Sequence, residues 1–143
     1  MKIRQTDLED LRSLIEEKKE LENEIRECQY SLNTTSNLSD TVVQNNKTSD
    51  QTGNIGTRLG DLRLYLENKI SQIESKRLAI EIEIGGLRSI DRRIIRLFYF
   101  SGYSDERISR VVHFNEDVVG RKRRRAVERI TGEEYQNHGS IKR

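Results

Sequence analysis

Residues Leu87–Thr131, LRSIDRRIIRLFYFSGYSDERISRVVHFNEDVVGRKRRRAVERIT, decide how the chain is read. Their apolar spacing predicts three helices separated by two short turns. The first, from about Ser89 to Phe100, faces Ile90, Ile94, Leu97, Phe98 and Phe100 inward and is ended by Gly102. Ser104 and Asp105 are good N-cap residues for a second helix reaching Val112, with Ile108, Val111 and Val112 on its apolar side. The tight turn His113-Phe114-Asn115 follows. Phe114 is expected to close the core, and Asn115 to cap a third helix whose first turn carries Glu116 and Asp117. That helix buries Val119, Ala126, Val127 and Ile130 and bears the run Arg121-Lys122-Arg123-Arg124-Arg125. A short helix, a tight turn and a basic helix make a module that lays side chains into a DNA major groove.

Five consecutive cations cannot share a face when successive residues are about 100° apart. Arg121, Arg124 and Arg125 fall together, while Lys122 lies nearer the buried side and has to snorkel or reach a phosphate. Guanidinium groups at Arg121 and Arg124 suit a guanine edge or a phosphate, each with two acceptors. The bland alternatives are a solvated face or a protein-binding patch. Five of the eight aromatic residues lie within seventeen positions, from Phe98 to Phe114. Filling a very small core explains them better than base stacking does.

Upstream, residues 1–86 read as a helical extension. A capping box, Thr6-Asp7-Leu8-Glu9, opens a helix over about 6–32 whose seam is Leu11, Leu14, Leu21, Ile25, Cys28 and Leu32. Residues 33–57 are Asn, Thr, Ser, Asp and Gly with few apolar anchors, which predicts a polar linker, tacked down at most by Val42-Val43 and Ile55. A second helix over about 58–84 carries Leu59, Leu62, Leu66, Ile70, Ile73, Ile80 and Ile84. The two stripes fit a hairpin within one chain or a coiled coil with a second copy equally well. Gly85-Gly86 then marks a hinge or boundary before a domain over 87–132, and residues 133–143 read as a polar tail.

Composition agrees with an elongated helical protein: 143 residues, 33% hydrophobic against 35% charged, and no proline. The net charge of +2 hides an asymmetry. Residues 1–30 hold six Lys/Arg against nine Asp/Glu, whereas residues 87–143 hold fourteen against eight, so a polyanion is drawn to the C-terminal part. The single cysteine, Cys28, excludes an internal disulfide and fits a reducing, cytoplasmic setting, where a small buried side chain is expected of it. No apolar run approaches the roughly 20 residues of a bilayer span, so no membrane partner is expected. No acid/base pair, nucleophile–histidine pair or phosphate-binding glycine loop stands out, which argues against an enzyme. His113 and His138 lack the neighbours a metal site needs, and no cofactor is expected.

The stretch Ile94-Ile95-Arg96-Leu97, the turn Gly102-Tyr103-Ser104-Asp105-Glu106, Ile108-Ser109, Val119 and Ala126-Val127-Glu128-Arg129-Ile130 resemble the promoter-reading helix-turn-helix of sigma factors (region four). The layout of the whole chain is similar to ArpU-like regulators of late or lysis-associated transcription, carried by phages and prophages of low-GC Gram-positive bacteria. The resemblance implies that Ser104 meets a phosphate and that Glu116, Asp117 and Arg121 occupy the groove-facing start of the recognition helix. Gly120 and Lys122 depart from the pattern, which usually has a larger polar residue and an apolar one there.

The expectation is therefore an all-α chain: a long helical hairpin or coiled-coil extension followed by a small three-helix, helix-turn-helix domain. Its expected function is sequence-specific binding of double-stranded DNA as a transcription regulator in the host cytoplasm. The DNA-binding residues are then Ser104, Asn115, Glu116, Asp117, Arg121, Lys122, Arg124 and Arg125. RNA polymerase, and a second copy of the chain paired through residues 6–84, are the further partners considered. A small-terminase-like DNA-packaging component and a coiled-coil interaction protein are the competing functions. The operator, and whether transcription rises or falls, are not written in the sequence.

Overall fold

In the computed structural model, the structure describes residues 2–41 and 46–137, with side chains for 2–34 and 54–137. The described residues are helical and contain no strand: α1 (Gln5–Thr41), α2 (Asn46–Ile84), α3 (Ser89–Ile95), α4 (Asp105–Val112) and α5 (Glu116–Thr131). Over Arg96–Phe100 the last turns of α3 widen to i→i+5 hydrogen bonding, ending in Ser101 N–H to the Arg96 carbonyl at 3.0 Å.

Two differences from the sequence expectation concern α1 and α2. Both helices run into the stretch expected to be a linker, to Thr41 from one side and from Asn46 on the other. Once a helix is nucleated each added residue gains a hydrogen bond, so propagation outruns the weak propensity of Asn, Ser and Thr. Val42 and Val43 lie outside the described residues. The capping box is also displaced: α1 opens at Gln5, and the carboxylate that reaches back is Asp7, accepting from the Arg4 N–H at 2.8 Å, rather than Glu9 pairing with Thr6.

The chain divides into two compact units, Glu17–Gln72 and a second made of Met1–Glu16 with Ile73–Arg143. Within Glu17–Gln72, α1 and α2 run antiparallel in one chain. Lys69 Nζ meets Glu17 at 2.6 Å, Arg63 donates to Gln29 at 3.1 Å, Arg58 pairs with Glu24, and the Cys28 thiol donates to the Ile55 carbonyl at 3.5 Å. Among its described residues, Leu21 and Leu59 are the buried apolar ones. Cys28 is half-buried, not fully enclosed.

The second unit spans the position of the boundary expected at residue 86. One core joins Ile3, Leu8 and Leu11 from the start of the chain, Ile73, Ile80 and Ile84 from the end of α2, and Ile95, Tyr99, Val127 and Ile130. A second, smaller core is made of Ile94, Ile108, Val112 and Val119, with Ile90, Leu97 and Phe98 against it. Helix α3 is thus buried on two sides. Of the residues expected inward, Ile90, Ile94 and Leu97 belong to the second core, Phe100 packs on the first and Phe98 on both; Ile95 and Tyr99, not among them, are buried in the first. Gly85-Gly86 forms a turn inside this unit, with the Leu87 N–H on the Ile84 carbonyl at 3.0 Å and Leu87 itself buried. Arg96 grips Glu81 through two bonds, of 2.9 and 2.8 Å, and this holds the Glu81 carboxyl below its usual value against a smaller opposing effect of burial.

The expected polar tail is not free as far as Asn137. Gly132 ends α5 in the left-handed region at φ 72°, turning the chain back. Tyr135 packs on the core, its N–H on Glu128 at 3.0 Å. Gln136 then forms a two-way pair with buried Gln5: Gln136 N–H to Gln5 Oε1 at 2.8 Å, and Gln5 Nε2 to the Gln136 carbonyl at 2.7 Å.

Candidate nucleic-acid interface

The geometry begins at the start of α4. Ser104 is its N-cap, extended at φ −76° and ψ 163°, and its hydroxyl oxygen accepts from the Arg107 N–H at 3.2 Å. Capping uses the oxygen and leaves the O–H of this exposed residue free to donate. After Val112 the chain turns through His113, left-handed at φ 64°, and α5 starts at Glu116. Asn115 occupies the N-cap position of α5 in extended backbone, yet its side chain makes no capping bond, contrary to expectation. Phe114 is 40% exposed and does not close the core; Lys122 Nζ stands 5.3 Å from its ring centre.

The five-residue basic run separates by burial. Arg121 and Arg125 are exposed, Lys122 and Arg124 are half-buried, and Arg123 is 6% exposed. The sequence reading put the inward-leaning cation at Lys122. It is Arg123, which shares the register of Val119, Ala126, Val127 and Ile130. Its guanidinium holds Asp105 through two parallel bonds, Nε to Oδ1 at 3.0 Å and Nη2 to Oδ2 at 2.9 Å. It also donates to the Tyr135 hydroxyl at 3.0 Å and lies 4.0 Å over the Phe98 ring. Burial disfavours its charge, but the bonds to Asp105 and Tyr135 outweigh that and hold its pKa above the ordinary guanidinium value. One side chain thereby ties α4, α5, the widened end of α3 and the returning C-terminal segment together. Its signal in the sequence was a charged residue at an apolar helical register, facing an acid at the start of the preceding helix.

Gly120 has a packing reason. A Cβ there would meet Arg124 Nη1 at 3.2 Å and Asp105 Oδ2 at 3.4 Å. Arg124 therefore folds back over α5 into a cleft with Asp105, Glu116, Asp117 and Arg121, instead of standing on the outer face beside Arg125. Of the sequence-derived site residues, Arg121 and Arg125 share the outward face, with exposed Asp117 and Glu116 one turn earlier. Ser104 and Asn115 open the two helices. Among the described residues none of Arg121, Arg125, Glu116 or Asp117 has an ion-pair partner.

Next to that face a cleft of about 270 Å³ separates the start of α3 from α5 and is lined by Arg88, Asp91, Lys122, Arg125 and Arg129. Neither Arg88 nor Arg129 was among the DNA-binding residues read from the sequence, because neither belongs to the basic run. No group of His, Cys, Asp and Glu among the described residues is placed to hold a metal ion, and no described helix is long and apolar enough to cross a membrane. No protein-family model, curated protein or solved structure matches the chain.

Proposed function

We propose that the chain is a sequence-specific double-stranded DNA-binding transcription regulator, with α5 entering the major groove as the second helix of a helix-turn-helix. The observation that carries this reading is the outward face of α5. Arg121 and Arg125 stand exposed and without ion pairs among the described residues, on a helix whose pose behind a three-residue turn is fixed by the buried Asp105–Arg123 pair. Groove reading needs such a division, with one set of side chains free for base edges and another that prevents the helix from rolling. Asp117 and Glu116 add acceptors for cytosine amino groups beside an arginine suited to guanine. Ser104 and Asn115 at the two helix starts are the phosphate-side contacts. The similarity to ArpU-like layouts supports a phage or prophage late-gene regulator, acting in a bacterial cytoplasm.

The test is selection of bound duplexes from fragmented phage and bacterial DNA, followed by footprinting. A preferred site is expected, and a pair of protected half-sites about one helical turn apart would report a symmetric dimer. Replacing Arg121 by Ala is expected to reduce the preference for the selected over a scrambled duplex by about 1–3 kcal/mol. Equal affinity of the unaltered protein for both duplexes would remove the reading.

A further inference from the structure

We infer that the cleft between the start of α3 and α5 seats the sugar-phosphate backbone of duplex DNA, so that the interface extends beyond the helix that reads bases. The inference rests on the DNA-binding reading above and adds a second surface to it.

Four cations, Arg88, Lys122, Arg125 and Arg129, line the cleft against one carboxylate, Asp91. The cleft therefore carries an excess of three positive charges. Among the described residues none of the four is in an ion pair. Three other arginines of the unit are held instead: Arg92 donates to the Leu87 carbonyl, Arg96 grips Glu81 and Arg123 grips Asp105. Four like charges gathered around a single carboxylate repel one another, which is a cost unless a further anion occupies the space between them.

The arrangement indicates which anion. Lys122, Arg125 and Arg129 fall at i, i+3 and i+7 along α5, spanning about 10 Å of helix axis at 1.5 Å per residue. Arg88 faces them from the other wall. A ribbon of cations this long matches a strand bearing successive phosphates better than one small anion. Arg125 belongs both to the cleft and to the outward face of α5, so a duplex engaged by that face has its backbone beside the cleft.

The test uses the full chain and a random-sequence 24-base-pair duplex, with fluorescence anisotropy between 50 and 200 mM KCl. Arg88→Gln/Arg129→Gln removes two cleft charges, and both side chains are exposed, so the fold is expected to survive; far-UV circular dichroism checks this. Each lost phosphate contact lowers the magnitude of the log K against log salt slope by about 0.9. The double variant is therefore expected to have a slope shallower by about 1.8, and to lose roughly twelve-fold less affinity than the unaltered protein across this range. The control, Arg93→Gln/Arg110→Gln, removes two exposed arginines outside the cleft and is expected to leave the slope close to that of the unaltered chain. An unchanged slope in the cleft variant, or an equal fall in the control, overturns the inference while DNA binding stands. Absence of any duplex binding by the unaltered protein removes the underlying reading and this one with it.

Discussion

Two compact units of this chain are held by different physics. In Met1–Glu16 with Ile73–Arg143, apolar side chains from both ends of the sequence interlock, and an ion pair set into the protein, Arg123–Asp105, has side-chain exposures of 7% and 21%. In Glu17–Gln72, Leu21 and Leu59 are the buried apolar residues among those described, and one of the cross-helix pairs, Arg58–Glu24, has exposures of 62% and 44%. A desolvated, doubly bonded pair fixes geometry and is costly to break, whereas a wet pair is screened and easily replaced by water. The contrast says where precision is needed: beside the outward face of α5.

The largest effect expected from this comparison is in the buried pair. Arg123→Ala removes both guanidinium bonds to the Asp105 carboxylate and leaves the Tyr135 hydroxyl without its donor. We expect a loss of about 3–5 kcal/mol in thermal or urea unfolding. Arg123→Lys should recover little, since an ammonium cannot make the two parallel bonds. A loss below about 1 kcal/mol would erase the distinction drawn between the units.

Next comes the claim that the first sixteen residues belong to the C-terminal module. Leu11 is fully buried in the same core as Val127 and Ile130. Leu11→Ala should cost about 2–4 kcal/mol and speed amide exchange in α5, more than a hundred residues away in sequence. Unaltered protection of Val127 and Ile130 would instead return the N-terminal residues to a separate extension.

That long-range packing is also what the sequence could not disclose. The short-range features were legible: Ser104 as an N-cap, the turn at His113, and Val119, Ala126, Val127 and Ile130 as the inner face of α5 all follow from local chemistry and periodicity. Ile95 and Tyr99 were missed because periodicity reveals one apolar stripe, and α3 is covered on two sides by segments distant in sequence. The widened turn over Arg96–Phe100 further shifts which residues align. Gln5 and Gln136 offered no signal at all, since a polar pair 131 residues apart has no local signature. Among the site residues, exposure of Arg121 and Arg125 followed from helical geometry, while Arg124 was misplaced because its direction is set by the missing Cβ of Gly120 and by Asp105.

A smaller effect concerns Tyr99, whose buried hydroxyl has no hydrogen-bond partner among the described residues. Burial raises its pKa well above the ordinary phenol value of 10.0, helped by Tyr135 and opposed in part by the Arg123 charge. Tyr99→Phe removes an unsatisfied polar atom, and a gain of about 1 kcal/mol is expected at pH 7. The pH dependence has a definite sign. A phenol whose folded pKa is raised stays protonated in the native state while the unfolded chain ionises, so its contribution is intact below pH 10 and falls as the pH rises above that value. The advantage of the Phe variant should therefore widen above pH 10 in urea titrations. A Phe variant less stable than the parent at pH 7 would mean that the hydroxyl has a partner after all.

The smallest effect tests the other half of the comparison. Arg58 and Glu24 link α1 and α2 across the Glu17–Gln72 unit while both remain largely in water. Holding two long side chains in one geometry offsets most of the Coulomb attraction, so Arg58→Ala is expected to cost less than about 0.5 kcal/mol in denaturant unfolding. Even that difference should shrink between 0.05 and 0.5 M salt, as the screening length drops below about 10 Å. A cost near 2 kcal/mol that persists in high salt would mean that this unit, too, depends on a fixed polar contact, and the division of labour between the two regions would have to be given up.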